Sequence, residues 1–362
     1  MPTETGLARP RLAFNALALR PGGSGVQTYE RELLRALAAG TGADLVVTAR
    51  RDALGEVPAR ATVRSRSPRQ GLLRFGAGAR SLGRADLVHG LDVHLPLRTV
   101  GPTVVTVHDL SVLDLPGSMG RARAAGETAA LRHAMARADA LIAVSDFTAG
   151  RIAHHFGRTA TVTPLAPAPD MVPAGAAELD RVRELHRLPD PFALYVGTVE
   201  PRKDLGTLVE ACLRAGVPLV VAGAVRGGGT LPPAVRALGY VAQEDLPALY
   251  GAATVVAYPS RYEGFGLPPV EALACGTPVV GYRIPPLVDV LGEGALLTPV
   301  GDVGALAGSI RTVCSDGEAR AALAVLGRAR VGRLSWAATA AATVGVYRDL
   351  GVDCAWVGED GV

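Results

Sequence analysis

Along this chain, short runs of Val, Leu, Ile and Ala alternate with longer segments in which apolar residues recur at helical spacing. "RLAFNALAL" predicts a strand, "GVQTYERELLRALAAG" a helix closed by Gly40, and "ADLVVTA", "ADLVHG", "TVVTVHD" and "ADALIAVS" further strands. The rhythm restarts in the second half with "FALYVGTV", "VPLVVAGA", "LGYV", "ATVVAYPS", "TPVVGY" and "GALLTP", each followed by a helix or a turn. Strands this uniformly apolar are covered on both faces, and strands separated by helices build parallel βαβ units. The fold class is α/β, with two doubly wound, Rossmann-like domains. Such sheets bind ligands beyond the carboxyl ends of their strands, so the pattern points to an active site in a cleft between two facing sheets.

The two halves are separated by "TPLAPAPDMVPAGAAE", where four prolines within residues 163–173 cannot continue a sheet or a helix interior. The expected organisation is an N-terminal domain over residues 1–165, a linker over 166–190, a C-terminal domain over 191–334 and a helix with a tail over 335–362. A length of 362 residues accommodates two domains. The closing "LSWAATAAATVGVYRDL" keeps helical period with Ser335 in N-cap position. That helix either crosses back to the N-terminal domain or lies on the surface of the second.

Composition sharpens the picture in a few places. The net charge of +3 conceals an asymmetry, since residues 1–180 carry 21 Arg against 16 acids. Seven arginines and no acid fall between Arg60 and Arg84, partly on a segment that reads as an amphipathic helix. This run is either a solvated face or a surface attracted to an anionic membrane or acceptor. It holds a single aromatic residue, Phe75, and so offers no stacking platform for nucleic acid. The four cysteines are scattered and form no metal-binding spacing, which fits a reducing cytoplasm. No segment has a signal-peptide pattern or approaches the roughly 18 apolar residues of a membrane span. The expected location is cytoplasmic, with at most peripheral contact at the inner face of a membrane.

Three segments carry candidate chemistry. In "RPGGSGVQTYERELL", Gly23 and Gly25 allow close backbone approach to a phosphate ahead of a helix N-terminus, or simply connect strand to helix. In "FALYVGTVEPRKDLGTLVEA", a strand delivers Arg202 and Lys203 to a helix entrance capped by Asp204. Lys203 is the only lysine of the chain, beside 36 arginines. A planar fork next to a mobile point charge suits a diphosphate. In "YPSRYEGFGLPPVEALACGTPVV", Glu263 occupies a Gly-flanked turn, Pro268 and Pro269 open a helix, and Glu271 is read into its first turn. Two carboxylates eight residues apart can accept hydroxyl hydrogen bonds from one ligand, although an acid in a first turn is also favoured by the helix dipole alone. His108 ends the strand in "VTVHDL", and Asp109 beside it reads as a turn cap or as a base.

Taken together, the Gly-rich loop, "VTVHDL", "ADALIAVSDFTAGRI", "YVGTVEPRKDLGTLVEA", "SRYEGFGLPPVEALACGTPVV" and the closing helix resemble the family four retaining glycosyltransferases of the GT-B fold, bacterial mannosyltransferases among them, over essentially the whole chain. The resemblance implies transfer of a hexosyl group, with GDP-mannose as one donor, to a glycan, a lipid-linked or a small-molecule acceptor. It implies that Arg202 and Lys203 grip the donor diphosphate and that Glu271 holds the nucleotide ribose. Glu263, with the backbone of Gly264, Phe265, Gly266 and Leu267, would hold the donor sugar. His108 would stand beside the transferred sugar, and Gly23 and Gly25 would close on the donor phosphate or the acceptor.

Where many relatives carry a "P-x-G-x-D" type segment, this chain reads "TPLAPAPDMVP", so contacts from that region do not carry over. No DxD-like pattern is present, and the basic pair can stand in for a divalent cation, so neither a metal nor another cofactor is expected. Two alternatives use the same scaffold: a pseudo-glycosyl coupling enzyme or sugar-nucleotide epimerase, and a non-catalytic sugar-nucleotide-binding partner. The complete set of Arg202, Lys203, Glu263, Glu271 and His108 favours transfer over both.

Overall fold

The computed structural model describes residues 9–22, 25–66, 84–117, 119–224 and 231–358. It divides into two compact units, one running to Leu165 and resuming at Trp336, the other spanning Ala166–Ser335. Each unit is built on a parallel sheet.

In the first unit the sheet order is β3-β2-β1-β4-β5-β6-β7, from β1 (Arg11–Ala16), β2 (Asp44–Arg50), β3 (Thr62–Arg66), β4 (Leu87–Gly90), β5 (Thr103–Val107), β6 (Ala140–Ala143) and β7 (Thr161–Val162). All its strand pairings are parallel, as in Phe14 opposite both Val47 and His89. Helices α1 (Val26–Gly40), α2 (Ser111–Asp114), α3 (Arg121–Arg137) and α4 (Asp146–Phe156) follow their strands. The core gathers Val88, Val105, Val107 and Leu141 from the sheet with Leu131, Ala134 and Ile152 from α3 and α4. Local signals set the limits of α4: the Ser145 hydroxyl accepts from the Thr148 amide, and Gly157 ends the helix at a φ of 63°.

The second unit has the order β10-β9-β8-β11-β12-β13, from β8 (Ala193–Val196), β9 (Leu219–Ala222), β10 (Val235–Gly239), β11 (Val255–Tyr258), β12 (Val279–Tyr282) and β13 (Ala295–Thr298). Helices α5 (Ala176–His186), α6 (Leu205–Ala215), α7 (Leu246–Ala252), α8 (Leu267–Ala274), α9 (Pro285–Leu291), α10 (Val303–Ser315) and α11 (Gly317–Val331) accompany them. Helix α5 lies inside the segment expected as linker and packs on α7. The last helix, α12 (Trp336–Asp349), packs on α1 in the first unit.

Both orders reverse beside the first strand of the unit, between β1 and β4 and between β8 and β11. At such a switch point the loops leaving neighbouring strands part and leave a crevice. The loop after β8 holds Arg202 and Lys203, and the loop after β11 holds Glu263. Topology alone brings them side by side.

One reading of the sequence changes, and another falls only partly within the described residues. The Arg60 to Arg84 run, expected to be partly helical, opens as edge strand β3, whose residues Thr62–Arg66 pair one for one with Val46–Arg50 of β2. Arg60 is already engaged, donating to the carbonyls of Thr41 and Ala43, and residues 67–83 of the run lie outside the described part. Glu271 is the fifth residue of α8 rather than a first-turn acid, since the helix begins at Leu267, ahead of its two prolines. Among the described residues no helix is long and apolar enough to cross a membrane.

Candidate active site

After β8 the chain makes a 3-10 turn over Pro201–Lys203 and enters α6 through Asp204, held in the left-handed region at a φ of 48°. Three groups fix the Asp204 carboxylate: the Thr207 hydroxyl at 2.9 Å, the Tyr282 hydroxyl at 2.8 Å and the Arg261 guanidinium at 2.7 Å. The Arg261 amide also donates to the Arg202 carbonyl at 2.8 Å, tying this loop to the one after β11. Close packing beneath the loop comes from glycine. A Cβ on Gly223, at φ 141°, would lie 2.1 Å from the Gly197 carbonyl oxygen.

The turn directs the Lys203 side chain inward, and the residue is only 6% exposed. Its ammonium donates to the Tyr258 hydroxyl and to Glu263 Oε1. Arg202 Nη1 reaches the same Oε1 at 3.2 Å and the Tyr262 carbonyl at 2.7 Å, while its Nε lies 3.4 Å from Glu200. The Tyr258 hydroxyl donates to Glu263 Oε1 at 3.0 Å. One carboxylate oxygen thus gathers two cations and a phenol.

Burial alone would push the Glu263 carboxyl up, but Lys203 and Arg202 outweigh it and hold the group down at about 2. Burial lowers the Lys203 ammonium below its ordinary range, with Glu263 acting in the opposite direction. Burial first and Glu263 second raise the Tyr258 phenol well above its own. Glu263 therefore stays ionised and Tyr258 stays protonated at neutral pH.

From Glu263 the chain runs through Gly264 and Phe265 to Gly266, whose φ of 97° opens α8 and whose missing Cβ would strike Leu287 at 2.6 Å. Phe265 and Leu267 are buried, which anchors the turn on both sides of Gly266. Glu271 is buried and accepts from the Tyr250 hydroxyl at 3.0 Å. Each carboxylate of the E-x7-E pair is held by a buried tyrosine.

The remaining candidates belong to the first unit. His108 follows β5, its Nε2 lies 2.9 Å from the Leu91 carbonyl oxygen, and Tyr29 meets its ring edge to face at 4.7 Å between centroids. Because a carbonyl only accepts, Nε2 carries the proton. Burial lowers the His108 pKa, opposed by that hydrogen bond. Asp109 closes the turn that leads into α2, accepting from the Ser111 amide at 2.9 Å and the Ser111 hydroxyl at 2.6 Å. Gly25 precedes α1 at a φ of 65°, and Gly23 lies outside the described residues. The structure thus joins Arg202, Lys203 and Glu263 directly, sets Glu271 on the helix that follows, and carries His108 and Gly25 on the other unit's loops.

Sequence reasoning missed the tyrosines. Tyr258 ends the strand read from "ATVVAYPS" and Tyr250 lies in "LPALY", and neither was singled out. Their hydroxyls gave the available signal, because a buried phenol needs a hydrogen-bond partner that Phe would not.

The chain is similar to proteins of one family along most of its length. The family described as glycosyl transferases group 1 matches residues 177–330, and glycosyltransferase family 4 matches residues 23–167. O-antigen chain mannosyltransferase B of Escherichia coli is 34% identical over 285 residues, covering 73% of this chain and 74% of that protein. The chain belongs to glycosyltransferase family 4. D-inositol 3-phosphate glycosyltransferase of Kineococcus radiotolerans is 31% identical over 261 residues, 62% of this chain and 60% of that one. Among solved structures, sucrose-phosphate synthase of Thermosynechococcus elongatus aligns with a TM-score of 0.76 at 25% identity, over 95% of this chain and 99% of that one. Anabaena HepE in complex with UDP-glucose aligns with a TM-score of 0.74 at 18% identity, over 94% and 100%, and shares the fold. This glycosyltransferase has the GT-B fold and is a retaining hexosyltransferase that takes its sugar from a nucleotide-sugar donor.

Proposed function

We propose that this glycosyltransferase moves mannose from GDP-mannose to a hydroxyl of a glycan, free or carried on a lipid. The mannosyl donor and saccharide acceptor are supported by the E. coli relative, which acts on an O-antigen chain. The observation that carries the site assignment is the convergence of Arg202 and buried Lys203 on Glu263 at the switch point of the second sheet.

In this reading Arg202 and Lys203 bind the donor diphosphate. As the bond from the anomeric carbon to phosphate breaks, negative charge grows on the departing oxygen, and two preorganised cations stabilise it more than they stabilise the intact donor. Each charge-assisted hydrogen bond contributes on the order of 1.5–3 kcal/mol. The acceptor hydroxyl approaches the face that the diphosphate leaves, the new carbon–oxygen bond forms there, and the departing phosphate takes the hydroxyl proton. Glu263 and the Gly264–Leu267 backbone hold the sugar hydroxyls, and Glu271 accepts from the ribose. His108, with its proton on Nε2 committed to Leu91, is the first unit's candidate for the group beside the transferred sugar.

Thermal stability of wild type and Lys203→Ala with GDP, UDP, ADP and dTDP and their sugar conjugates tests this. We expect GDP and GDP-mannose to raise the Tm of the wild type and to have little effect on the variant. Stabilisation of wild type and variant alike would remove Lys203 from the diphosphate site, and a response to UDP alone would exclude the GDP donor.

A further inference from the structure

The crowding on Glu263 Oε1 raises a question of its own. A carboxylate oxygen offers about two lone-pair directions. Here it receives three donors, Lys203, Arg202 and Tyr258. The three differ in what holds them. Lys203 and Arg202 ride on the turn after β8, whereas Tyr258 is the last residue of β11, its ring fully buried and stacked at 6.2 Å on Tyr195 of the neighbouring strand. Two donors sit on a loop and one is fixed to the sheet.

A diphosphate and Glu263 compete for the same two cations. A diphosphate presents more negative charge and more acceptor oxygens than one carboxylate, so its binding draws both cations toward phosphate. A buried carboxylate stripped of its cations is costly unless a donor remains. Tyr258 is the donor that need not move.

We propose that Tyr258 is a positioning residue for sugar transfer, retaining Glu263 by its hydrogen bond when the diphosphate takes over Lys203 and Arg202. The carboxylate then serves first as counter-ion to the cations and afterwards as an oriented acceptor for the donor sugar. The inference rests on the nucleotide-sugar reading above and adds a residue and a sequence of partners to it. The groups facing Glu263 are Lys203 and Arg202 from the β8 loop, Tyr195 from β8, and Tyr258 and Ser260 from β11 and its loop, while Glu200 faces the two cations.

Tyr258→Phe keeps the ring and deletes the hydroxyl. With Lys203 and Arg202 still on Glu263, the Tm without nucleotide should stay near that of wild type, and GDP affinity should change less than about threefold. With GDP-mannose, kcat/KM should fall about tenfold or more, the loss expected for one hydrogen bond to a charged group. The acid limb of its pH profile should move up, because Glu263 loses the donor that keeps it ionised in the complex. A pH profile and kcat/KM superimposable on wild type would overturn the proposal. A second measurement guards against a folding defect: the GDP-mannose Kd of Tyr258→Phe, Glu263→Gln and the double variant. If the tyrosine acts through Glu263, the double variant binds no worse than Glu263→Gln alone, and losses that simply add would also overturn it. A wild type that binds neither GDP nor UDP, nor their sugar conjugates, would instead sink the donor reading, and this proposal with it.

Discussion

At the scale of single residues, the Glu263 cluster is asymmetric. Glu263 compensates two cations, while Lys203 compensates one carboxylate that Arg202 also reaches. Removing the acid strips buried Lys203 of its carboxylate and leaves Arg202 with Glu200, whereas removing the lysine leaves the Arg202–Glu263 ion pair. Breaking a buried pair by deleting one partner typically costs about 3–5 kcal/mol, and the cost is the uncompensated charge. Both side chains are nearly excluded from solvent, so screening relieves little of it. In urea unfolding without nucleotide, Glu263→Gln should therefore lose about 3 kcal/mol, and Lys203→Met clearly less. Equal losses would mean that Arg202 does not share Glu263. The same asymmetry explains what could be read in advance. Arg202, Lys203, Glu263 and Glu271 were legible because charge in an apolar sequence stands out and their spacing matches a family. Tyr258, Tyr250 and the Asp204–Tyr282 contact were not, because their hydroxyls meet partners 5 to 78 positions away and nothing local announces the meeting.

At the scale of elements, the strands were legible for the reason that makes them stable: β8, β9, β11 and β12 are buried throughout, so their sequences are continuously apolar. Strand β3 was hidden by its arginines, which an edge strand can point to solvent, and β7 by its length of two residues. The pitch of the loop that presents Lys203 depends on how closely β8 and β9 approach at their carboxyl ends. There Gly223→Ala would put a Cβ against backbone, 2.1 Å from the Gly197 oxygen, at a φ of 141°. Backbone cannot step aside as a side chain can, so we expect a loss of several kcal/mol together with weakened GDP binding. Gly216→Ala at the end of α6 is the control. Its φ is 71° and no atom lies within 4 Å of the added Cβ, so only the left-handed conformation is strained, at a cost of about 1–2 kcal/mol. If the two variants unfold at the same urea concentration, the close approach of β8 and β9 is not what sets the loop.

At the scale of the whole molecule, each unit buries an ionisable group whose protonation opposes folding, and the two titrate in different ranges. In the first unit a buried chain of hydrogen bonds runs from Tyr29 through Thr106 and His89 to Tyr347, at 2.7, 2.9 and 2.7 Å. Burial first, and His108 second, lower the His89 pKa from 6.5 to about 3. In the second unit Glu263 is lowered from 4.5 to about 2. Both folded values lie below the unfolded ones, so in each window the unfolded chain binds more protons and stability falls as pH falls. For His89 the stabilisation is complete above about 6.5 and is lost towards 3, and for Glu263 it is complete above about 4.5 and is lost towards 2. The first amounts to about 5 kcal/mol. Both tryptophans, Trp336 and Trp356, belong to the first unit, so their fluorescence reports on that unit alone. On acid titration we expect the tryptophan signal to change at a higher pH than the second phase of far-ultraviolet circular dichroism, and His89→Gln to remove the separation. A single transition seen identically by both probes, in wild type and variant, would show that the units unfold as one and that the buried histidine does not set the acid limit of the first.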